Sequence, residues 1–163
     1  MSTVVVTGAA GFIGSHTSHA LLDIGWQVVG IDAFTPFYDE AEKRANAATL
    51  NAREGFRLIE GDLVDLPLTA LLAGASAVVH LAAQPGVTGS WGNAFGIYVR
   101  HNLLGTQRVL EASAAAGIPQ LVVASSSSIY GDAPAYPCSE DVLPRPVSPY
   151  GVTKLATEHL CLA

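Results

Sequence analysis

Tyr150 and Lys154 stand four residues apart directly after Pro149, where a helix is expected to begin, and that spacing puts a phenol and an ammonium on one helix face. A cation beside a phenol stabilises the phenolate and lowers its pKa toward working pH, so Tyr150 is a candidate general base with Lys154 as its partner. Alone, such a pair is an ordinary pair of helix neighbours, and its weight comes from the residues upstream. The run Ser125-Ser126-Ser127-Ser128-Ile129-Tyr130-Gly131 follows an apolar strand expected at 121–124. Its hydroxyls therefore stand at a strand's carboxyl end, where they can bond a substrate oxygen, although a polar loop exit explains three of the four serines equally well.

A second constellation opens the chain. Val4-Val5-Val6-Thr7-Gly8-Ala9-Ala10-Gly11-Phe12-Ile13-Gly14 reads as a buried strand running into a glycine-punctuated turn and then a helix. Gly8 permits the tight turn, Gly11 removes the Cβ that would keep phosphates away, and Gly14 lets the helix press on the strand. Unpaired amides at the start of that helix face an anion with the positive end of the macrodipole behind them. Such a turn holds a pyrophosphate. Asp32 lies 18 residues beyond Gly14, at the end of the next strand. A carboxylate there accepts from adenosine ribose hydroxyls and repels a 2′-phosphate, so NAD is expected rather than NADP. The positive nicotinamide of bound NAD would further favour a tyrosinate at Tyr150.

The elements that must position these groups are legible in the apolar pattern. Strands are predicted at 4–7, 27–31, 56–59, 77–81 and 121–124, and helices at about 11–25, 39–51, 66–73, 93–116 and from 148 onward. Repeated β-α-β units with right-handed crossovers make an α/β, doubly wound parallel sheet of Rossmann type, with strand order 3-2-1-4-5 and the ligand at the carboxyl edge. Residues 131–149 hold prolines at 134, 137, 144, 146 and 149, which reads as a surface loop before the last helix. That helix runs to Ala163 with no terminator and no following strand, so the sheet is expected to be truncated after the helix of Tyr150 and Lys154, and residues 1–163 to form one incomplete nucleotide-binding domain.

Composition narrows the partners. Of 163 residues, half are hydrophobic and 13% charged, and the mean hydropathy of +0.37 suits strands buried on both faces. No apolar run reaches membrane-spanning length, and no charged leader precedes the first strand, so neither membrane nor export is expected. The net charge of −6 with no basic run argues against nucleic acid. Cys138 and Cys161 have neither metal nor disulfide spacing and suit a reducing cytoplasm. His16, His19, His101 and His159 are not clustered at ligand spacing, so no metal is expected, and His80 reads as a satisfied core histidine. Arg100 and Arg108 are expected to be solvated.

Taken together, Gly8-x-x-Gly11-x-x-Gly14, Asp62 after Gly61, His80-Leu81-Ala82-Ala83, Asn102-x-x-Gly105-Thr106, the serine run before Tyr130-Gly131, and Tyr150-x-x-x-Lys154 resemble the extended short-chain dehydrogenase/reductase family, the NAD-dependent sugar epimerases and dehydratases. The resemblance covers the whole chain in order. Within that group, Phe34-Thr35-Pro36-Phe37-Tyr38-Asp39 with Lys43-Arg44, and His80 to Val87, are most similar to UDP-glucuronate 4-epimerases.

The resemblance implies Ser126, Tyr150 and Lys154 as the catalytic trio. It implies Gly8, Gly11, Phe12, Ile13, Gly14, Asp32, Asp62, Leu63, Leu81, Ala82, Ala83, Tyr150 and Lys154 at NAD, with Asp62 and Leu63 flanking the adenine. Thr88, Ser126, Ser127 and Tyr150 are the residues expected at a UDP-sugar. Related 4,6-dehydratases carry an Asp-Glu pair after the catalytic hydroxyl, where this chain has Ser127 and Ser128. Hydroxyls at ordinary pKa cannot supply that acid and base, so epimerisation is expected rather than dehydration. A homodimer built on the helices at 93–116 and from 148 is implied as well. Much of the family's sugar-nucleotide surface lies in a carboxyl-terminal half, so the isolated chain is expected to bind NAD at best and to turn over little or nothing. A non-catalytic dinucleotide-binding module, or a related dehydrogenase or decarboxylase, are the alternatives.

Overall fold

The computed structural model describes residues 2–133 and 137–163; Pro134, within the predicted loop, lies outside the described residues. The chain divides into two compact units, one formed by residues up to 83 with 108–124, the other by 84–107 with 125–163.

The first unit contains a five-stranded parallel sheet: β1 (Thr3–Thr7), β2 (Gln27–Asp32), β3 (Phe56–Glu60), β4 (Ala77–His80) and β5 (Leu121–Val123), in the order β3-β2-β1-β4-β5. The predicted order and strand positions are those observed, to within a residue or two at the ends. Val5 pairs with Val29 on one side and Val78 on the other, and these three join Ile31, Leu63, Leu68, Leu72, Val109 and Ala112 in one core. The alternate residues Val4, Val6 and Val28 point the other way and pack with Leu22 and Leu50. The unbroken valine run is thus explained by two buried faces, each valine contributing about 1.5–3 kcal/mol of apolar burial.

Four of the unit's helices are α1 (Phe12–Asp23), α2 (Glu40–Asn51), the short α3 (Leu68–Leu72) and α5 (Gly105–Ala115), which begins in the second unit. Helix α1 starts from extended Gly11 without a side-chain cap, and the chain turns away at Gly25 with φ +86°. Asp39 caps α2 by accepting from the Ala41 amide at 2.9 Å, with Glu40 and Glu42 in its first turn.

The second unit holds two 3-10 turns, Thr88–Ser90 and Gly92–Ala94, then α4 (Phe95–Tyr98), a π-helical stretch Val99–Leu104, another 3-10 turn Ser127–Ile129, and α6 (Pro149–Leu162). Ser148 caps α6 through the Gly151 amide at 3.0 Å, with Pro149 in the first helical position. The single helix predicted over 93–116 is therefore interrupted. At the π turn, Asn102 Oδ1 accepts from the Gln84 amide at 2.7 Å while Nδ2 donates to Gln84 O at 3.1 Å and Thr153 Oγ1 at 3.0 Å. These are long-range partners that helical periodicity cannot register, and the widened turn is where they are met. Among the described residues no helix is long and apolar enough to cross a membrane.

Candidate functional site

In the first unit the glycine turn follows β1, and its three glycines do distinct work. Gly8 has φ +70°, and a Cβ on it would stand 2.8 Å from the Ala82 amide nitrogen, so turn and post-β4 segment are in backbone contact. A Cβ on Gly14 would collide with the Gly8 carbonyl, which is how α1 reaches the turn. A Cβ on Gly11 would meet only Gly8 O at 3.2 Å and Tyr38 Oη at 3.8 Å, leaving room over the start of α1. Phe12 and Ile13 expose 73% and 63% of their surface there. An uncapped helix start beneath a cleared position is what a diphosphate requires, so these residues fit a dinucleotide.

Thr7 ties the neighbouring strand ends together. Its Oγ1 lies 2.7 Å from His80 Nδ1 and accepts from the Leu81 and Ala82 amides at 3.2 Å each. His80 is 3% exposed and has the polar partner expected of a core histidine. Asp32 ends β2, buried; Oδ2 accepts from the Ala10 amide at 3.0 Å and Oδ1 from the Phe34 amide at 2.8 Å. A carboxylate has about four acceptor positions, so two remain for hydroxyl donors. Lys43 Nζ lies 3.9 Å from Oδ1, a positive charge beside the expected ribose carboxylate that the sequence reading left out. Asp62 forms a turn with the Val64 amide at 2.9 Å, and the Leu63 side chain lies in the core. Leu81, Ala82 and Ala83 are half-buried after β4. Arg108 differs from expectation: its Nη2 donates to Leu66 O at 3.4 Å and its Nε is buried, because α5 runs against the segment after β3.

In the second unit, Tyr150 and Lys154 share α6 at the predicted spacing. The Tyr150 ring meets Tyr98 edge-on, centroids 6.2 Å apart, and Tyr98 donates to Pro85 O at 2.9 Å. Lys154 is buried, and burial pushes its ammonium below the usual lysine value, opposed by the nearby Cys161 and Glu158. Ser126 Oγ accepts from the Ser128 amide at 3.1 Å and caps the following 3-10 turn, a role that leaves a hydroxyl its proton to donate. Ser127 and Ser128 line a pocket of about 250 Å³ with Tyr130, Gly131, Ala133 and Cys138. A Cβ on Gly151 would stand 2.5 Å from Ser128 O, so α6 and the serine turn are in backbone contact and Ser126 and Tyr150 belong to one packed group. Thr88 is exposed in its 3-10 turn. The residue that sequence reasoning quoted without a role is Asn102, which joins Gln84 to α6 through Thr153, while its own carbonyl accepts from Thr157 Oγ1 at 3.3 Å. An asparagine inside the predicted helix, just before Leu103-Leu104-Gly105-Thr106, was the available signal.

Comparison with known proteins adds to this geometry. The model of the NAD dependent epimerase/dehydratase family matches residues 4–163. An uncharacterised UDP-glucose epimerase of Bacillus subtilis, YtcB, is 46% identical over 162 residues, covering 97% of this chain and 50% of the relative. UDP-glucuronate 4-epimerase 1 of Arabidopsis thaliana is 45% identical over 163 residues, covering 97% and 38%. The crystal structure of UDP-glucuronic acid 4-epimerase from Bacillus cereus, in complex with UDP-glucuronic acid and NAD, superposes with a TM-score of 0.94 at 45% identity, covering 98% of this chain and 51% of that one. The chain thus spans about half the length, or less, of these relatives. With its sheet order, its glycine turn and a family match over nearly every residue, the chain belongs to the NAD dependent epimerase/dehydratase family.

Proposed function

We propose that this chain is the coenzyme-binding, base-carrying part of a nucleotide-sugar 4-epimerase that interconverts UDP-glucuronate and UDP-galacturonate with NAD. The observation that carries the reading is the pair Ser127 and Ser128 beside Ser126, in the group packed with Tyr150, with hydroxyls where elimination of water would need carboxyl groups. The relatives that bind or act on UDP-glucuronate support the choice of sugar.

When bound, NAD supplies a hydride acceptor that is restored at the end of each cycle. The chain's own residues handle protons and position. Tyr150 takes the proton from the sugar 4-hydroxyl and returns it to the inverted oxygen, Ser126 hydrogen-bonds that same oxygen, and the Lys154 ammonium stabilises the phenolate. The glycine turn with Asp32, Asp62, Leu63, Leu81, Ala82 and Ala83 holds the coenzyme, while Thr88 and Ser127 contact the sugar nucleotide. Under the same reading 1–163 is one coenzyme-binding domain, working in the cytoplasm as part of a homodimer.

The test is conversion of UDP-glucuronate by the full-length protein, followed by NMR, with Tyr150→Phe as the variant. UDP-galacturonate formed without accumulating NADH, and lost in the variant, is the expected result. NADH accumulation would assign a dehydrogenase and carbon dioxide release a decarboxylase. NAD binding with no conversion of any UDP-sugar would assign a binding module.

A further inference from the structure

The loop between β2 and α2 carries a phenol to which the reading above gives no task. Phe34 adopts a left-handed φ of 49°, its amide held by Asp32 and its ring stacked under the Arg44 guanidinium at 3.6 Å. Lys43, itself buried, donates to Thr35 O at 3.0 Å and lies 5.3 Å from the centroid of the Tyr38 ring. Phe37 meets the same ring edge-on at 6.4 Å. So anchored, Tyr38 delivers its hydroxyl to the glycine turn, 3.8 Å from where a Cβ on Gly11 would stand. That is the space whose emptiness lets phosphates approach the start of α1.

The Tyr38 Oη is buried and makes no hydrogen bond of good geometry among the described residues, although the Phe12 amide is near enough to favour the phenolate. Buried hydroxyls nearly always have a partner, and one that lacks it beside a ligand cradle points to the ligand. Burial, and then the Asp32 carboxylate, push the phenol above its ordinary pKa against the weaker pull of the Phe12 amide. At neutral pH the group is therefore a donor, and a phosphoryl oxygen accepts only.

We propose that Tyr38 is a diphosphate ligand: its hydroxyl donates a hydrogen bond to a phosphoryl oxygen of the dinucleotide seated on the 8–14 turn, adding one side-chain donor to the backbone amides. The proposal rests on the reading that this chain binds NAD. It sets Tyr38 apart from Asp32, whose task is the ribose, and makes the β2–α2 loop part of phosphate recognition.

Tyr38→Phe removes the hydroxyl and keeps the ring under Lys43. Titration calorimetry of the full-length protein with NAD, ADP and adenosine, with melting of the ligand-free protein alongside, tests the assignment. Affinity for NAD and for ADP should fall about tenfold in the variant, the scale of one hydrogen bond to a charged group. Adenosine affinity should stay unchanged, and the ligand-free variant should melt no lower than the wild type, since it has lost only an unpaired buried hydroxyl. Equal NAD affinity in both proteins overturns the proposal, as does a loss shared equally by ADP and adenosine; both leave the NAD reading standing. If the wild type binds ADP in a Tyr38-dependent way but not NAD, the NAD reading falls and the phosphate contact stands. Binding of neither nucleotide overturns both.

Discussion

Replacing Gly14 by alanine reverses the usual sign of a glycine-to-alanine change. Within a helix the substitution normally stabilises by about 1 kcal/mol, because glycine loses more backbone entropy on folding. Gly96 in α4 is the matched control: nothing lies within 4 Å of its Cβ position, so Gly96→Ala should show that gain. At Gly14 the new carbon would stand 2.7 Å from the Gly8 carbonyl carbon, 3.0 Å from Ala9 Cα, and closer still to the Gly8 oxygen. These are backbone atoms that cannot rotate aside, so α1 must shift against the turn, at a cost of about 2–3 kcal/mol, the upper part of the range for overpacking. Net of the helix gain, Gly14→Ala should lose about 1–2 kcal/mol and melt about 2–8 °C lower. Urea unfolding followed by circular dichroism gives the stabilities of both variants, and calorimetry gives NAD affinity, which should fall at least about tenfold at Gly14 because the turn amides move. A Gly14→Ala protein as stable as Gly96→Ala, with NAD affinity intact, would refute the argument that α1 is packed on the turn for phosphate binding.

Thr7→Val keeps the shape of the side chain but strips His80 Nδ1 and the Leu81 and Ala82 amides of an oxygen, so chemical denaturation should show a loss of about 1–3 kcal/mol. Asn102→Ala removes three hydrogen bonds to Gln84 and Thr153; stability should fall by about 2–3 kcal/mol, and amide exchange at Gln84 should accelerate. For Lys154, a lysine lowered by burial binds its proton less firmly folded than unfolded. Its penalty is present below the folded pKa and is relieved as pH rises toward the unfolded value. The stability of Lys154→Met relative to wild type should therefore be greatest at neutral pH and shrink toward pH ~10, the region of the free lysine value, in parallel urea melts. A difference that grows with pH would mean that the ammonium is net stabilised in the fold.

The residues that were legible from the chain alone are those whose physics is local. A run of valines followed by Gly8, Gly11 and Gly14 dictates a two-sided buried strand and a tight turn whatever surrounds it, and the spacing of Tyr150 and Lys154 on a capped helix is set by helical geometry. The strand positions and the β3-β2-β1-β4-β5 order followed from the apolar pattern with right-handed crossovers, and the family from these motifs together with Asp62, His80 to Ala83, Asn102 to Thr106 and the serine run. What the tertiary structure alone decided depends on partners distant in the chain. The π turn at 99–104 goes with an asparagine bound to Gln84 and Thr153, Thr7 finds His80 from 73 residues away, and Arg108 is drawn to Leu66 rather than to water. Tyr38 reaches the glycine turn only because the β2–α2 loop folds back over it, held by Asp32 and Lys43. Local sequence reports propensity and periodicity; which buried polar group meets which is settled by how the elements pack, since each must find a partner wherever the fold brings one.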